Sequence, residues 1–285
     1  MIIDYKDYTS IDYTRYKRVF IFGCSFTHYK WPTWAEILVH EMPNAKSYNF
    51  GASGGGNLYI SERIIAANQK YCFNEEDLIL VMWSTYMRED RYKNKKWITP
   101  GNIFTQNIIS EDFVKEWACV RGYVVRDLAL MTMIKNTLKI LPCHSVILQS
   151  VDAEYDALNT DAINEVQDVI KLYKSTIDDL PVSLNHVVGI NHGTWTTWGF
   201  GHEYYWPESR TQKLSEKHKD RHPNPKMYLD YLLKIGFKIS ENTQNKIHAL
   251  TEELLSIETH DEIIKWFTNL RDNYPNYYYS PLYLI

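Results

Sequence analysis

The chain has 285 residues, 45% of them hydrophobic and 23% charged, with a formal net charge of −4. That length and composition are typical of a globular protein with one large domain, with or without an appendage. The slightly acidic balance predicts neither a nucleic-acid-binding surface nor an anionic-membrane surface. The N-terminus lacks a signal-peptide pattern, and no run approaches the roughly 20 apolar residues that a membrane span needs, so we expect a cytoplasmic protein.

Cysteine and histidine spacing predicts no metal site. The four cysteines form no Cys-x-x-Cys pair, which argues against a disulfide framework and against a zinc site. Four histidines between positions 186 and 218 match no strong zinc signature either, so we interpret them as loop residues. No metal or other cofactor is expected.

Strand and helix patterns alternate along the chain. Residues 1–17 are polar and tyrosine-rich and predict an ordered arm. Strands are expected at 18–22, 47–50, 77–83, 145–149 and 186–190. Helices are expected from a capping box at Thr33 and Glu36, and at 58–69, 120–141, 160–177 and 225–235. This order predicts an α/β fold, a parallel sheet covered by helices on both faces.

Three other segments do not follow this alternation. Residues 86–118 are charged and aromatic without a clear period, and we interpret them as an insertion over the carboxyl edge of the sheet. Residues 191–219 form a long loop rich in Trp, Tyr, His and Gly, which favours a functional segment. Beyond residue 236, amphipathic helices and a tyrosine-rich end, residues 277–285, predict a helical C-terminal appendix.

Candidate catalytic groups follow the first strand and precede the helix at 225. Ser25 stands directly after Gly23-Cys24, where a strand-to-helix turn exposes a hydroxyl. Asp220 and His222 supply a carboxylate and an imidazole, the groups that orient and deprotonate a serine nucleophile. Two simpler interpretations stay open: Ser25 as a helix N-cap, and His222 as part of a surface His-Pro turn. Cys24 is expected to be a buried structural thiol.

These segments resemble the SGNH/GDSL hydrolases over residues 18–236. Gly23-Cys24-Ser25 is similar to block one of that family, the glycine-rich segment 49–57 to block two, and Asp220 with His222 to the last block. Block three matches only in position, because Ser84-Thr85 stands where the family has an asparagine. The resemblance implies a flavodoxin-like three-layer α/β/α sandwich and a triad of Ser25, His222 and Asp220.

The oxyanion hole of such an enzyme needs donors aimed at the developing negative charge. The backbone N–H of Ser25 is the expected first donor, and one in Gly54-Gly55 the second, because glycine permits close approach to a ligand. For the third donor three alternatives stay open. They are Ser84, Thr85 and Asn57. Five aromatic residues are expected to line the substrate cleft, and for the three in the loop at 191–219 packing in the core or an interface stays an equal alternative. The five are Trp83, Tyr86, Trp195, Trp198 and Tyr205.

The sequence thus predicts a domain at 18–236, an arm at 1–17 and an extension at 237–285. The resemblance implies a serine esterase that removes small acyl groups, in particular O-acetyl groups on a carbohydrate, without a cofactor. The alternative is a weak or inactive SGNH-fold protein with a binding or structural role in a larger assembly, such as a virion. In that case the aromatic C-terminus is the expected contact with identical or other subunits. An acyltransferase on the same scaffold has no supporting sequence feature.

Overall fold

The computed structural model describes residues 1–104, 109–152, 160–188 and 222–257, and five isolated positions between 262 and 269. Their central element is a parallel sheet of four strands, β1 (Arg18–Phe22), β2 (Lys46–Asn49), β3 (Asp77–Trp83) and β6 (His144–Gln149). The strand order is β2-β1-β3-β6. It matches the first four strands of the flavodoxin-like order, in which β1 and β3 are central and ligands bind at the carboxyl edge.

Helices cover both faces of this sheet. On one face lie α1 (Trp34–His40), α7 (Leu184–Val187), α8 (Pro225–Lys234) and α9 (Glu241–Ser256). On the other lie α2 (Asn57–Tyr71), α4 (Val120–Ile140), α5 (Thr160–Leu172) and α6 (Lys174–Ile177). The structure is therefore a three-layer α/β/α sandwich, as the sequence predicted.

Strand β3 shows how the sequence builds the two apolar layers. All seven of its residues are buried. Leu78, Leu80 and Met82 belong to the cluster on the α1 and α8 face. Ile79, Val81 and Trp83 belong to the cluster on the α2 and α4 face. Because successive side chains of a strand point to opposite faces, a continuous apolar run is what a strand covered on both sides requires.

The helix boundaries follow local capping chemistry. Thr33 and Glu36 form the expected capping box at the start of α1. Asn224 caps α8, where its Oδ1 accepts from the Met227 N–H at 3.0 Å, and Pro225 takes the first helical position. Ser240 caps α9 in the same way. These side chains satisfy backbone donors that the first helical turn leaves unpaired.

The segment at 86–118 contains an antiparallel hairpin that the sequence pattern did not predict. Its strands are β4 (Arg88–Lys93) and β5 (Lys96–Asn102), followed by α3 (Glu111–Trp117). Asn94 and Lys95 at the turn both have positive φ, and the ladder has an irregularity between Glu89 and Arg91. An irregular ladder breaks the alternation of polar and apolar residues by which a hairpin is recognised in a sequence.

The two flanking segments pack on the sandwich. In the arm, Ile2 forms a parallel bridge to Ser145, and the Ile3 N–H donates to the Ser145 carbonyl at 2.8 Å, next to β6. At the other end, Ile247 and Leu250 of α9 join the same apolar cluster as α1 and α8. The first helix of the extension is thus part of a helical layer of the sandwich.

The structure corrects the prediction of a strand at 186–190. Residues Leu184–Val187 form the short helix α7, capped by Ser183, whose Oγ accepts from the His186 N–H at 3.3 Å. The β-branched run Val187-Val188 favoured a strand in the sequence, and the local cap overrides that preference. Within the described ranges, every helix is too short or too polar to cross a bilayer.

Candidate functional site

The turn after β1 is tightly packed between two neighbouring segments. The Gly23 carbonyl accepts from the Ala52 N–H at 3.2 Å, which joins block one to block two. A Cβ on Gly23 would lie 1.9 Å from Thr27 Oγ1 and 3.2 Å from the Met82 carbonyl of β3. Only glycine fits this position. The carboxyl ends of β1 and β3 and the block-two loop therefore meet at one edge of the sheet.

Ser25 lies in this turn and is 5% exposed. The turn closes through the Thr27 and His28 N–H groups, which both donate to the Cys24 carbonyl, and through Phe26 N–H, which donates to Cys24 Sγ. Within the described residues, neither the N–H nor the Oγ of Ser25 has a hydrogen-bond partner. The Cys24 thiol is buried, as expected of a structural cysteine.

A buried polar network holds this turn from below. The Thr27 carbonyl accepts from Asn49 Nδ2 at 2.9 Å and from Thr33 Oγ1 at 3.1 Å. Glu36 accepts from the Thr33 hydroxyl at 2.6 Å and from Asn49 Nδ2 at 3.2 Å. Burial raises the pKa of Glu36 to about 7. The sequence identified Glu36 as a helix cap, and the structure adds its role beneath the Ser25 turn.

Among the described residues, block two leaves the N–H groups of Ser53 and Gly54 without an acceptor and engages those of Gly55 and Gly56. The Gly55 N–H donates to Ala52 at 3.0 Å and the Gly56 N–H to Asp90 Oδ1 at 2.8 Å. The Gly54 N–H has no acceptor among the described residues. Gly54 has φ +72°, and a Cβ there would lie 2.2 Å from the Thr99 carbonyl of β5. Of the two glycines predicted as oxyanion donors, the structure leaves the N–H of Gly54 available and engages that of Gly55.

Block three is held by a side chain from block two. Asn57 is fully buried; its Oδ1 accepts from the Ser84 N–H at 2.9 Å, and its Nδ2 donates to the Ser84 carbonyl at 3.3 Å. The same Nδ2 donates to Asp127 Oδ2 at 3.0 Å. The amide hydrogens of Asn57 are therefore committed to Ser84 and Asp127. Asn57 holds the block-three backbone and is not placed as an oxyanion donor.

Ser84 presents a buried hydroxyl at the edge. Its Oγ has no hydrogen-bond partner in the described structure. It follows Trp83, the last residue of β3, at the carboxyl end of that strand. The neighbouring Ser150 Oγ and the Asn185 amide are likewise buried without partners. Backbone hydrogen bonds place Ser150 and Asn185 near the end of β3. The Ser150 N–H donates to the Trp83 carbonyl, and the Asn185 N–H donates to the Ser150 carbonyl.

Thr85, the third alternative for a block-three donor, is bound to Arg88. The Arg88 Nε donates to Thr85 Oγ1 at 2.8 Å, and the Arg88 Nη1 donates to the Gly55 carbonyl at 3.0 Å. This guanidinium joins block three to block two. Thr85 keeps a hydroxyl hydrogen, but the arginine fixes the position of its oxygen.

His222 lies against the block-one turn. Its ring stacks on Tyr29, with centroids 3.6 Å apart, and meets the Phe26 ring edge-on at 5.5 Å. Trp31 Nε1 donates to the Pro223 carbonyl at 2.7 Å, which fixes the next residue to the same segment. The structure thus brings His222 to the residues that flank Ser25, although no hydrogen bond joins the imidazole to Ser25 Oγ among the described contacts.

The predicted lining residues divide into two groups. Trp83 and Tyr86 are each 2% exposed and belong to the apolar cluster on the α2 and α4 face. Trp83, the last residue of β3, alternates with Met82 and packs in that cluster, and Tyr86 packs there as well, so the structure places neither side chain in the cleft that the sequence predicted for it. Asp220, Trp195, Trp198 and Tyr205 lie outside the described residues, as does the tyrosine-rich end.

Sequence reasoning missed the buried partners of this edge. Asp127 is fully buried in α4, bound by Asn57 and by Arg126 Nε at 2.7 Å, and burial raises its pKa to about 6. The available signal was a carboxylate in the apolar stripe of Val124, Leu128 and Met131. Within the described ranges, no three His, Cys, Asp or Glu side chains cluster as metal ligands.

Comparisons with known proteins give a likeness of fold. No protein-family model matches the chain, and no curated protein matches it. Among solved structures it is similar to a member of the lipolytic protein G-D-S-L family from Veillonella parvula, at 16% identity and TM-score 0.39, over 76% of this chain and 94% of that one. It is also similar to the YxiM protein of Bacillus subtilis, at 14% identity and TM-score 0.38, over 78% of this chain and 55% of that one.

The likeness concerns the arrangement of helices and strands, and the α/β/α assignment rests on this chain's own parallel sheet and its two helical layers.

Proposed function

We propose that the chain is a serine hydrolase of the SGNH type that cleaves small acyl esters. The observation that carries the proposal is a pair of backbone donors, the N–H groups of Ser25 and Gly54, that have no acceptor among the described residues. They stand on adjacent turns at the carboxyl edge of the sheet. An oxyanion hole requires such preorganised donors.

In the proposed reaction, Ser25 Oγ attacks the ester carbonyl while His222 accepts its proton. The negative charge that develops on the carbonyl oxygen is stabilised by the N–H groups of Ser25 and Gly54. The C–O bond to the alcohol then breaks, with a proton returned from His222 to the leaving oxygen. Water repeats the sequence on the acyl-enzyme, which releases the acid and restores Ser25. Asp220 is the proposed partner of the imidazolium.

Ser84 is the proposed third oxyanion donor. Its hydroxyl is buried and lacks a partner, so a substrate oxygen that accepts from it would relieve the cost of an unsatisfied polar group. Asn57 holds the backbone of Ser84 in place, and this restricts the positions that the Ser84 hydroxyl can take. Ser84 thereby takes the place of the asparagine that the sequence lacks.

Within this proposal the alcohol part of the substrate is polar, in keeping with an acylated carbohydrate. The hydroxyl of Ser150 and the amide of Asn185, whose backbone bonds join them to the end of β3, are also buried without partners in the described structure. Such groups favour a ligand that carries hydroxyl or carbonyl oxygens, because burial without hydrogen bonds is costly. A cytoplasmic location is part of the proposal.

The second candidate is a binding or structural protein that retains the fold without turnover. The observation in its favour is that Ser25 Oγ has no hydrogen bond in the described structure. Catalytic hydrogen bonds are often long in enzymes without substrate, so this geometry is compatible with both candidates. The aromatic C-terminus is the proposed contact with other subunits, of the same chain or of a virion.

Steady-state hydrolysis of p-nitrophenyl acetate separates the two candidates. The esterase proposal predicts turnover that Ser25→Ala and His222→Ala each abolish. Ser53→Ala is the matched control, since Ser53 is an exposed serine of block two and its loss leaves the rate unchanged. Folded wild-type protein without turnover, or Ser25→Ala with the wild-type rate, would contradict the proposal.

A further inference from the structure

A second concave site lies beside the start of α2, where Leu58 and residues of β4 line it. It is a cavity of about 390 Å³ between β4, α3 and the start of α4. Its lining contains two carboxylates, Glu89 and Asp90, two guanidinium groups, Arg91 and Arg126, and three aromatic rings of Phe113, Trp117 and Tyr123. This volume falls in the range of small-ligand sites.

The charges of this cavity are balanced and fixed in position. Arg91 Nε pairs with Glu89 Oε1 at 2.5 Å, and Arg126 Nη1 lies 3.7 Å from Glu89 Oε2. The Tyr123 hydroxyl also donates to Glu89. Asp90 accepts from the N–H groups of Gly56 and Tyr59 at 2.8 and 2.9 Å. Two negative and two positive groups leave no net charge for an ionic ligand to complement.

The aromatic rings give the cavity apolar faces. The guanidinium carbon of Arg126 lies 4.5 Å from the Tyr123 ring centre, and that of Arg91 lies 5.3 Å from the Phe113 ring centre. Trp117 is four residues from Phe113 on α3 and is 68% exposed. None of the described rings stacks on Trp117. An exposed indole at the rim of a cavity is an apolar surface that a ligand can cover.

We propose that this cavity binds a sugar unit of a neutral carbohydrate. The C–H face of a sugar ring covers the Trp117 indole, and the ring hydroxyls bond to Glu89, Arg91 and Arg126, planar groups with donors and acceptors in fixed positions. A phosphate or carboxylate ligand fits less well, because Glu89 and Asp90 oppose it. Binding at this cavity stands independently of ester hydrolysis.

The position of the cavity connects it to the ester site. Asp90 lines the cavity and holds the Gly56 N–H, two residues after Gly54 in block two. In this proposal, a carbohydrate chain anchored here extends along block two toward the edge where Ser25 stands. This connection rests on the proposed function, and it makes the cavity an anchoring subsite for the polymer that carries the ester.

The test is binding of three neutral disaccharides, maltose, cellobiose and N,N′-diacetylchitobiose, measured by NMR on the indole signal of Trp117 in a Ser25→Ala background. We expect at least one to bind, Trp117→Ala to weaken it at least about tenfold, and Trp117→Phe to keep most of the affinity because a ring remains. Met133→Ala, an exposed apolar change elsewhere on α4, is the matched control and leaves binding unchanged.

Three outcomes would overturn the inference: no disaccharide binds, Trp117→Ala binds like the parent protein, or inorganic phosphate displaces the disaccharide from the Trp117 site. Hydrolysis of p-nitrophenyl acetate by Trp117→Ala in the otherwise unchanged chain is measured in parallel and is expected to equal the wild-type rate. If that ester is not hydrolysed at all, the proposed function fails while the binding result stands by itself.

Discussion

Two glycines determine the geometry of the candidate site at the scale of single residues. Gly23 lets the end of β1 pass within contact of Thr27 and β3, and Gly54 adopts a positive φ beneath the Thr99 carbonyl. Neither place has room for a Cβ. Because the N–H of Gly54 is left without an acceptor, the residue both permits the close approach and supplies a donor.

Gly54→Ala is predicted to lower both turnover and stability. The new Cβ meets the Thr99 carbonyl, so the loop moves and its N–H leaves the oxyanion position; losing one such donor costs about 10²- to 10³-fold in kcat. Holding an alanine at the positive φ of residue 54 lowers the unfolding free energy by about 1 to 3 kcal/mol. Ester hydrolysis and urea unfolding measure the two effects.

Gly55→Ala is the matched control, since its φ is ordinary and its N–H already donates to Ala52. We expect this variant to retain more than a tenth of the wild-type kcat, a loss below the range for a missing donor. Equal losses of kcat in the two variants would contradict the assignment of the oxyanion donor to Gly54.

At the scale of elements, one side chain in the first turn of α2 forms hydrogen bonds with the backbone at the end of β3. Asn57 bonds both the N–H and the carbonyl of Ser84, and Asp127 of α4 holds the Asn57 amide in turn. Three elements therefore fix the block-three backbone. Asn57 and Asp127 act on the site through Ser84, as positioning residues.

Asn57→Ala is predicted to lower kcat about tenfold with little change in KM, because Ser84 loses its fixed position while the substrate-binding surface stays. It also lowers the unfolding free energy by about 2 to 4 kcal/mol, through lost hydrogen bonds and an unsatisfied Asp127. Asn68→Ala is the matched control: Asn68 bonds the Phe73 N–H at the far end of the same helix. That variant loses stability but keeps the wild-type kcat, and a kcat loss in both would mean that Asn57 acts through stability alone.

Regular elements were predictable where one local signal dominated. Strands β1 and β3 have the bounds that their apolar runs predicted, and the capping box at Thr33 places α1. The hairpin after Tyr86 was not predictable, because its ladder is irregular and its turn uses positive φ at Asn94 and Lys95. Likewise, Ser183 starts a helix where Val187 and Val188 favoured a strand.

Predictability within the candidate site depended on the distance in sequence between partners. Ser25, Gly54 and Ser84 each end a strand-and-turn pattern, so their common edge followed from the alternation of strands and helices. The contact of Asn57 with Asp127 joins residues 70 positions apart, and it depends on how α2 packs on α4. No local pattern in the sequence encodes such a pairing.

At the scale of the whole molecule, three buried carboxyl groups in the part of the chain that the structure describes have pKa values raised by burial. They are Glu36, at about 7, and Asp90 and Asp127, both at about 6. Each favours the protonated form in the folded state, and the unfolded chain releases those protons near pH 4. Through these three groups the folded state binds more protons than the unfolded state between about pH 4 and pH 7, an effect that the lowered pKa values of His28, His40 and His144 oppose in part.

Stability is predicted to fall as pH rises through that window. The stabilisation from these carboxyl groups is fully present below about pH 4, the unfolded pKa, and is lost by about pH 7, at about 1.4 kcal/mol of unfolding free energy for each unit of pKa shift. Thermal unfolding between pH 4 and pH 8 measures it. Glu36→Gln is expected to reduce the loss of stability between about pH 6 and pH 7, because it removes the carboxyl group with the highest pKa of the three. Glu252→Gln, a change at an exposed position, leaves the pH dependence of stability unchanged. A stability that rises steadily from pH 4 to pH 7 would contradict this charge assignment.

The most direct test of the central claim, that Ser25 is an activated nucleophile, is covalent labelling with a fluorophosphonate followed by peptide mass spectrometry. The account predicts one label per chain, on Ser25, with labelling abolished in Ser25→Ala and strongly slowed in His222→Ala. Folded wild-type protein that takes up no label, or a label on another residue that persists in Ser25→Ala, would contradict it.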